Sequence, residues 1–357
     1  QMKKERTWPM KTTLKRGAGL LLPIYALPSP YGIGALGKCA YEFIDFLKGA
    51  DQKYWQVLPA GPTTYGDSPY QSYSAFAGNP YFIDLDLLAE EGLVTKAEIE
   101  SFSWGDHPSY VSYGLLFENR PEILRKAFAR SCHQQTEEFR TFCEENQFWL
   151  EGYALYMACK EHFQYKPWYE WEDGLKFRKP EALALYQELL RDRIDYYKFC
   201  QFQFFRQWKK VRSYANENQI ELIGDIPIYV AYDSADVWQY PEYFQLDENL
   251  TPKKVAGVPP DAFSDDGQLW GNPLYDWEYM EDTDFWWWRQ RMKASAKLYD
   301  ALRIDHFIGV VRYYTIPYPA SNAREGQWVW GPGGKLIRAL KEEAGDTKII
   351  AEDLGVV

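Results

Sequence analysis

Two carboxylates and an arginine stand where nucleophilic and acid–base chemistry could use them. The stretch Ala301-Leu302-Arg303-Ile304-Asp305-His306-Phe307-Ile308-Gly309 reads as a short apolar strand with an Arg and an Asp set into it. Side chains alternate along a strand, so Arg303 and Asp305 share one face while Leu302, Ile304 and His306 take the other. Two residues of rise separate the pair by roughly 6–7 Å, within reach for the guanidinium to favour the ionised carboxylate. An ionised carboxylate at a strand end suits a nucleophile; the same spacing also fits a structural Arg–Asp pair. A second apolar stretch, Ile349-Ile350-Ala351-Glu352-Asp353-Leu354-Gly355, again ends in carboxylates and a glycine. Two such strands in succession look like neighbouring barrel strands delivering carboxylates to one mouth.

The elements that must position them follow a strand–helix alternation. Residues 18–24 read as a buried strand, and a helix from about Lys38 carries Ala40, Phe43, Ile44 and Leu47 at the spacing of a core-facing stripe. Trp55 to Pro59 is a second strand, which makes a βαβ unit and calls for a parallel sheet. The loop 61–80 is dense in Tyr, Ser and Gly, as ligand-binding loops at strand ends are. Residues 85–220 read as a helical insertion subdomain, with Pro121 and Pro180 expected in first helical turns. Residues 222–228 form a third strand with Asp225 near its end. A loop rich in Pro and Gly follows over 255–273, then helices over 286–298 and 335–343 lead to the Asp305 and Glu352 strands. The count is five parallel strands, divided as 1–84 (strands one and two with the substrate loop), 85–220, and 221–357 (strands three to five with the loop 255–273).

Composition narrows the class. At 357 residues, 46% hydrophobic and 25% charged, the chain is globular. A net charge of −11 argues against nucleic acid as a partner. The 15 Trp and 28 Tyr suit stacking on sugar rings, although core packing must account for most of them. Five scattered cysteines (Cys39, Cys132, Cys143, Cys159, Cys200) without a CxxC pair fit free thiols in a reducing cytoplasm. Leu20-Leu21-Leu22 is stopped by Pro23, so a signal peptide is not expected, and no window reaches membrane-span length. No metal cluster or phosphate loop is visible, so no cofactor is expected.

Six stretches together resemble the 4-α-glucanotransferases of the amylomaltase (disproportionating enzyme) type, glycoside hydrolase family 77, which are related to the α-amylases. They are Gly-Asp-Ser-Pro-Tyr-Gln (66–71), Gly-Asp-Ile-Pro-Ile-Tyr-Val (224–230), Val-Ala-Gly-Val-Pro-Pro-Asp (255–261), Trp-Gly-Asn-Pro (270–273), Leu-Arg-Ile-Asp-His-Phe (302–307) and Ala-Glu-Asp-Leu-Gly (351–355), in the family's order. The resemblance implies a (β/α)8 TIM barrel with helical insertions and a retaining mechanism on α-1,4-glucans. It makes Asp305 the nucleophile, Glu352 the general acid/base, and Arg303 the partner that orients Asp305. Asp225 matches a sugar-contacting carboxylate, with a strand-end cap as its structural alternative, and Tyr70 an aromatic stacked on the reacting glucose, with Ser68 in the same motif. The stretch 255–273 resembles a flexible loop arching over the cleft, with Asp261 and Trp270 facing the glucan. A covering loop excludes water until an acceptor sugar arrives. His306 is a candidate sugar contact by adjacency, yet alternation turns it away, where it would be a packing histidine. Tyr65 and Tyr113 align with aromatics of a remote glucan site, and surface or core packing fits them equally. Asp353 reads as structural.

The expected function is therefore transfer of α-1,4-glucan segments to glucose, maltose or maltooligosaccharide acceptors in the cytoplasm, without nucleic acid or membrane. A hydrolase using the same carboxylates and a non-catalytic glucan-binding protein are the alternatives. The family's third carboxylate has no counterpart here and only about the first five barrel strands are counted. These 357 residues alone are expected to be inactive and poorly stable.

Overall fold

The computed structural model describes residues 14–107, 109–262 and 264–352. Strands form over β1 (Gly19–Leu21), β2 (Tyr54–Gln56), β3 (Glu221–Pro227), β4 (Lys254–Val258), β5 (Gln268–Pro273), β6 (Ala301–Asp305), β7 (Arg312–Pro317), β8 (Gln327–Trp330) and β9 (Lys348–Ala351). Five of them make one sheet in the order β1-β2-β3-β6-β9, every neighbouring pair parallel. The other four make a sheet ordered β5-β4-β7-β8, every pair antiparallel.

The parallel sheet has two distinct faces. Leu222, Ile226, Leu302 and Ile304 are buried and join the main core with the surrounding helices. The opposite face carries a small cluster of Tyr54, Ile223, Ala301 and Ile350, and beyond it toward the carboxyl ends the charged residues of the site. The first strand is shorter than 18–24 because Pro23 has no N–H to offer the ladder, and a turn of 3-10 helix follows over Ile24–Ala26. The helix Lys38–Gly49 buries Ala40, Ile44 and Leu47 as its spacing predicts.

Between β2 and β3 the regular elements among the described residues are helical. They share the core of the sheet: Trp149, Tyr156, Phe199 and Trp208 belong to the same buried cluster as Trp55 and Leu302. Most of the tryptophans serve packing, with Trp55, Trp149, Trp168, Trp208, Trp238, Trp287 and Trp288 all fully buried. Pro180 occupies the first turn of the Pro180–Leu189 helix, and a separate helix, Arg191–Glu217, begins after Leu190. Pro121 departs from expectation. It lies inside the helix Tyr113–Arg130. The lost hydrogen bond falls toward Phe117 on an exposed turn, while burial of Leu116, Arg120, Ile123, Leu124 and Ala127 on the other side holds the helix together.

The stretch 255–273 is also corrected. It is the β4–β5 hairpin, not an irregular loop. β4 pairs with β7, more than 50 residues later in the chain, and β8 pairs with β7 in turn, an arrangement that no local pattern displays. Those two strands and the short helix Ile308–Val311 fill the stretch between Asp305 and the helix Gly334–Glu343, where the sequence shows no clear element.

Candidate active site

Register brings the carboxylates together. Asp225 pairs with Arg303 and Pro227 with Asp305 across β3 and β6, while Ile304 pairs with Ala351 across β6 and β9. Laterally paired residues of a parallel sheet point to the same side. Asp225, Arg303, Asp305 and Glu352 therefore share one face at the carboxyl ends of three adjacent strands. The Arg303 guanidinium bridges two of them, donating from Nη1 to Asp225 Oδ1 and from Nη2 to Asp305 Oδ1, each at 2.7 Å. Burial works against the Arg303 charge, but these two carboxylates reverse that and raise its pKa. The Arg–Asp pairing read from alternation is present, and Asp225 joins it.

Asp225 is 1% exposed and accepts a second bond, 2.8 Å from the Tyr70 hydroxyl. Burial pushes its carboxyl up, opposed by the hydrogen bonds from Tyr70 and Arg303. Burial, then the hydrogen bond to Asp225, pushes the Tyr70 phenol above its ordinary range, so it stays a donor. Ser68 shapes the turn that delivers Tyr70: its Oγ accepts from the Tyr70 amide at 3.3 Å and its carbonyl from the Gln71 amide at 3.1 Å.

β6 ends at Asp305, and His306 takes a left-handed backbone with φ +52°. Alternation therefore does not carry to His306. The turn aims its N–H at Glu352, with 2.7 Å to Oε2. The His306 ring is packed edge-on against Trp270 of β5, centroids 4.8 Å apart at 87°. Burial lowers the imidazole pKa, with Asp305 opposing, which favours the neutral ring. Its Nε2 is buried without a protein partner.

The remaining candidates divide. Trp270 stands over the strand ends through His306, its Nε1 donating to Gln268 at 3.0 Å. Asp261 is exposed at the hairpin tip, where its carboxylate accepts from the Ser264 amide. Tyr65 is fully exposed on the loop 61–80. Tyr113 begins the helix Tyr113–Arg130, its phenol pushed up to about 12 by burial and then by Asp67. Among the described residues the side chains bonded to Asp225 and Asp305 are Tyr70 and Arg303, and Glu352 accepts from the His306 amide. Asp353 lies outside the described residues.

Sequence reasoning missed four residues that hold the site. Gln71 and Asn272 exchange hydrogen bonds of 3.1 and 3.4 Å, tying the Tyr70 loop to the hairpin, and Asn272 also donates to the Val230 carbonyl. Both stand in the motif stretches quoted above, which was the available signal. Arg291 and Tyr275, which bind the end of β3, gave no such signal. Among the described residues no group of three or more His, Cys, Asp or Glu could hold a metal, and no helix is long and apolar enough to cross a membrane.

Carboxylates on neighbouring parallel strand ends, beside an aromatic loop and under a hairpin, fit an enzyme of glycosidic bonds. The comparisons with known proteins agree. A family model described as 4-alpha-glucanotransferase matches residues 22–357. A 4-alpha-glucanotransferase of Clostridium butyricum is 52% identical over 333 residues, covering 93% of this chain and 68% of the relative. Its counterpart from Thermus thermophilus is 47% identical over 348 residues, 96% of this chain and 69% of the relative. The amylomaltase of Streptococcus agalactiae, solved in complex with acarbose, superposes with a TM-score of 0.92 at 46% identity, covering 96% of this chain and 70% of that one. The chain therefore belongs to the 4-α-glucanotransferase family, glycoside hydrolase family 77, and is a glucan-transferring enzyme.

Proposed function

We propose that the chain transfers α-1,4-glucan segments by a retaining double displacement, with Asp305 as nucleophile and Glu352 as general acid/base. The observation that carries this reading is the placement of the two carboxylates at the ends of register-paired neighbours β6 and β9, on one face. Adjacent strands lie about 4.8 Å apart, close to the roughly 5–5.5 Å between carboxyl groups that retention uses. Arg303 holds Asp305 Oδ1 and leaves Oδ2 for attack. The His306 amide holds Glu352 Oε2 and leaves Oε1 for the proton.

In the first step Asp305 Oδ2 bonds to the anomeric carbon as the bond to the glycosidic oxygen breaks, and Glu352 gives that oxygen its proton. In the second, Glu352 takes the proton of an acceptor 4-hydroxyl, whose oxygen attacks the anomeric carbon and frees Asp305. Asp225 and Tyr70 bind the hydroxyls and face of the reacting glucose. The β4–β5 hairpin, with Trp270 and Asp261, covers the intermediate and favours a sugar over water as acceptor. Ser68 acts through Tyr70, His306 offers its Nε2 to a sugar hydroxyl, and Tyr65 and Tyr113 serve a remote glucan contact. Glucose and maltose are the small acceptors. The five parallel strands are the first five of a (β/α)8 barrel, and the residues fall into the segments 1–84, 85–220 and 221–357.

The test is incubation of the full-length enzyme with maltotriose and chromatography of the products. Glucose plus a ladder of longer maltooligosaccharides is expected. Asp305→Ala should abolish the ladder and Glu352→Gln should lower its rate roughly 10²–10⁴-fold. Shorter sugars alone would make the protein a hydrolase, and a variant of either carboxylate with parental activity would remove that residue from the mechanism.

A further inference from the structure

Behind the site lies a buried cation that the proposed chemistry does not use. Arg291, on the helix Trp286–Leu298, is 2% exposed. An arginine in the interior costs free energy unless its donors are satisfied, so what it binds is informative. Its Nη2 donates to the Pro227 carbonyl at 2.6 Å and its Nη1 to the Ile228 carbonyl at 3.1 Å. Both carbonyls stand at the end of β3, whose last pair with β6 is Pro227 with Asp305. The Tyr275 hydroxyl donates to the same Ile228 carbonyl at 2.8 Å. The guanidinium also packs against Trp287 and Trp288, at 5.4 and 4.9 Å from their ring centroids, the two indoles standing edge to face at 88°. A planar fork bonded to two carbonyls and packed against two indoles has little freedom.

The atoms it grips lead directly to the reacting groups. Pro227 is the register partner of Asp305, and Asp225 stands two residues earlier on the same strand and face. A small cavity borders both sides of this arrangement, lined by Tyr70, Ala75, Asp225, Pro227 and Arg291. The buried Asp236 carboxylate accepts from the Ala75 amide at 2.8 Å, which ties down the loop that carries Tyr70. Burial pushes the Asp236 carboxyl up to about 6, and the bond from Ala75 and then the charge of Arg291 oppose that rise.

We propose that Arg291 is a positioning residue for glucan transfer: by forking onto Pro227 and Ile228 it fixes the end of β3, and with it the placement of Asp225 against Arg303 and Asp305. Asp236 supports the same placement from the side of the Tyr70 loop. Neither side chain is proposed to touch the sugar. The inference rests on the transferase reading above, since it assumes that Asp225 and Asp305 face the reacting glucose.

The experiment uses full-length enzyme with Arg291→Met and Arg291→Lys, measuring kcat and KM for maltotriose transfer per folded molecule, with the folded fraction taken from urea unfolding. A displacement of about 1 Å at reacting atoms costs on the order of 10²-fold in rate. Arg291→Met is expected to lower kcat by about 10- to 100-fold with KM within about threefold of the parent. Arg291→Lys should recover part of the loss, because one ammonium can reach a carbonyl but cannot fork. The Arg291→Met effect should also shrink in a Tyr70→Phe background, because both act on Asp225. Parental kcat per folded molecule in Arg291→Met would reduce Arg291 to a structural residue and overturn the proposal. If the methionine variant does not fold, the lysine variant decides by the same criterion. An inactive parent would overturn the transferase reading and this inference together; an active parent with unchanged variants overturns only the inference.

Discussion

His306 joins two constraints in one residue. Its left-handed backbone, φ +52°, is disfavoured for any side chain bearing a Cβ, yet that turn aims its N–H at Glu352 Oε2. Its ring meets Trp270 and leaves Nε2 buried without a protein partner. Substitution separates the two roles. His306→Gly should be more stable than His306→Ala by about 1 kcal/mol, because only the alanine carries the left-handed cost; urea unfolding of the two variants measures this. Both keep the amide, so both should cleave maltotriose faster than Glu352→Gln. If the two variants fell to the level of Glu352→Gln, the imidazole rather than the amide would be the group that matters. Alternation predicted the Arg303–Asp305 pair correctly because both residues lie inside β6. It failed one residue later because β6 ends at Asp305.

The β4–β5 hairpin is the element whose form the sequence concealed. Val255, Ala256, Gly257 and Val258 show no strict alternation, and Pro259 and Pro260 follow directly, so local pattern reads as loop. Pairing with β7 supplies the missing order, along with burial of Val255, Tyr314, Ile316 and Ala323 in a small core of its own. A hairpin anchored in a sheet holds Trp270 over His306 more firmly than a free loop would. Trp270→Ala should therefore let water compete with the acceptor sugar. The net gain of reducing ends, which hydrolysis produces and transfer does not, measured against transfer products from the same maltotriose reaction, should rise severalfold. An unchanged ratio would show that the hairpin does not govern water access. The helix Tyr113–Arg130 teaches the same lesson in reverse: Pro121 signals a start, but burial of one face carries the helix through it.

Across the molecule, the helical region and the sheet are joined by a buried polar contact as well as a common core. Lys160, 1% exposed, donates to Asp233 Oδ2 at 2.6 Å and to the carbonyls of Tyr165 and Lys166. Asp233, in the segment after β3, also accepts from the Tyr156 hydroxyl at 2.6 Å. Lys160→Met leaves the partly buried Asp233 without its cation and should cost about 2 kcal/mol in urea unfolding. The double variant Lys160→Met/Asp233→Asn should recover part of that loss; no recovery would show that Asp233 is not what the lysine stabilises. Neither residue could be paired from the sequence, since 73 positions separate them. What the sequence determined alone were features with a short period or a fixed local chemistry: the stripe of Ala40, Ile44 and Leu47, the parallel strands around Asp225, Asp305 and Glu352, and the motif stretches that resemble the glucanotransferases. Tertiary structure decided what depends on distant partners: that Asp225 shares Arg303 with Asp305, that residues 255–273 form a hairpin with strands beyond residue 311, and that Arg291 grips the end of β3. Register between strands far apart in the chain is set by simultaneous burial of their faces, and no window of sequence contains that information.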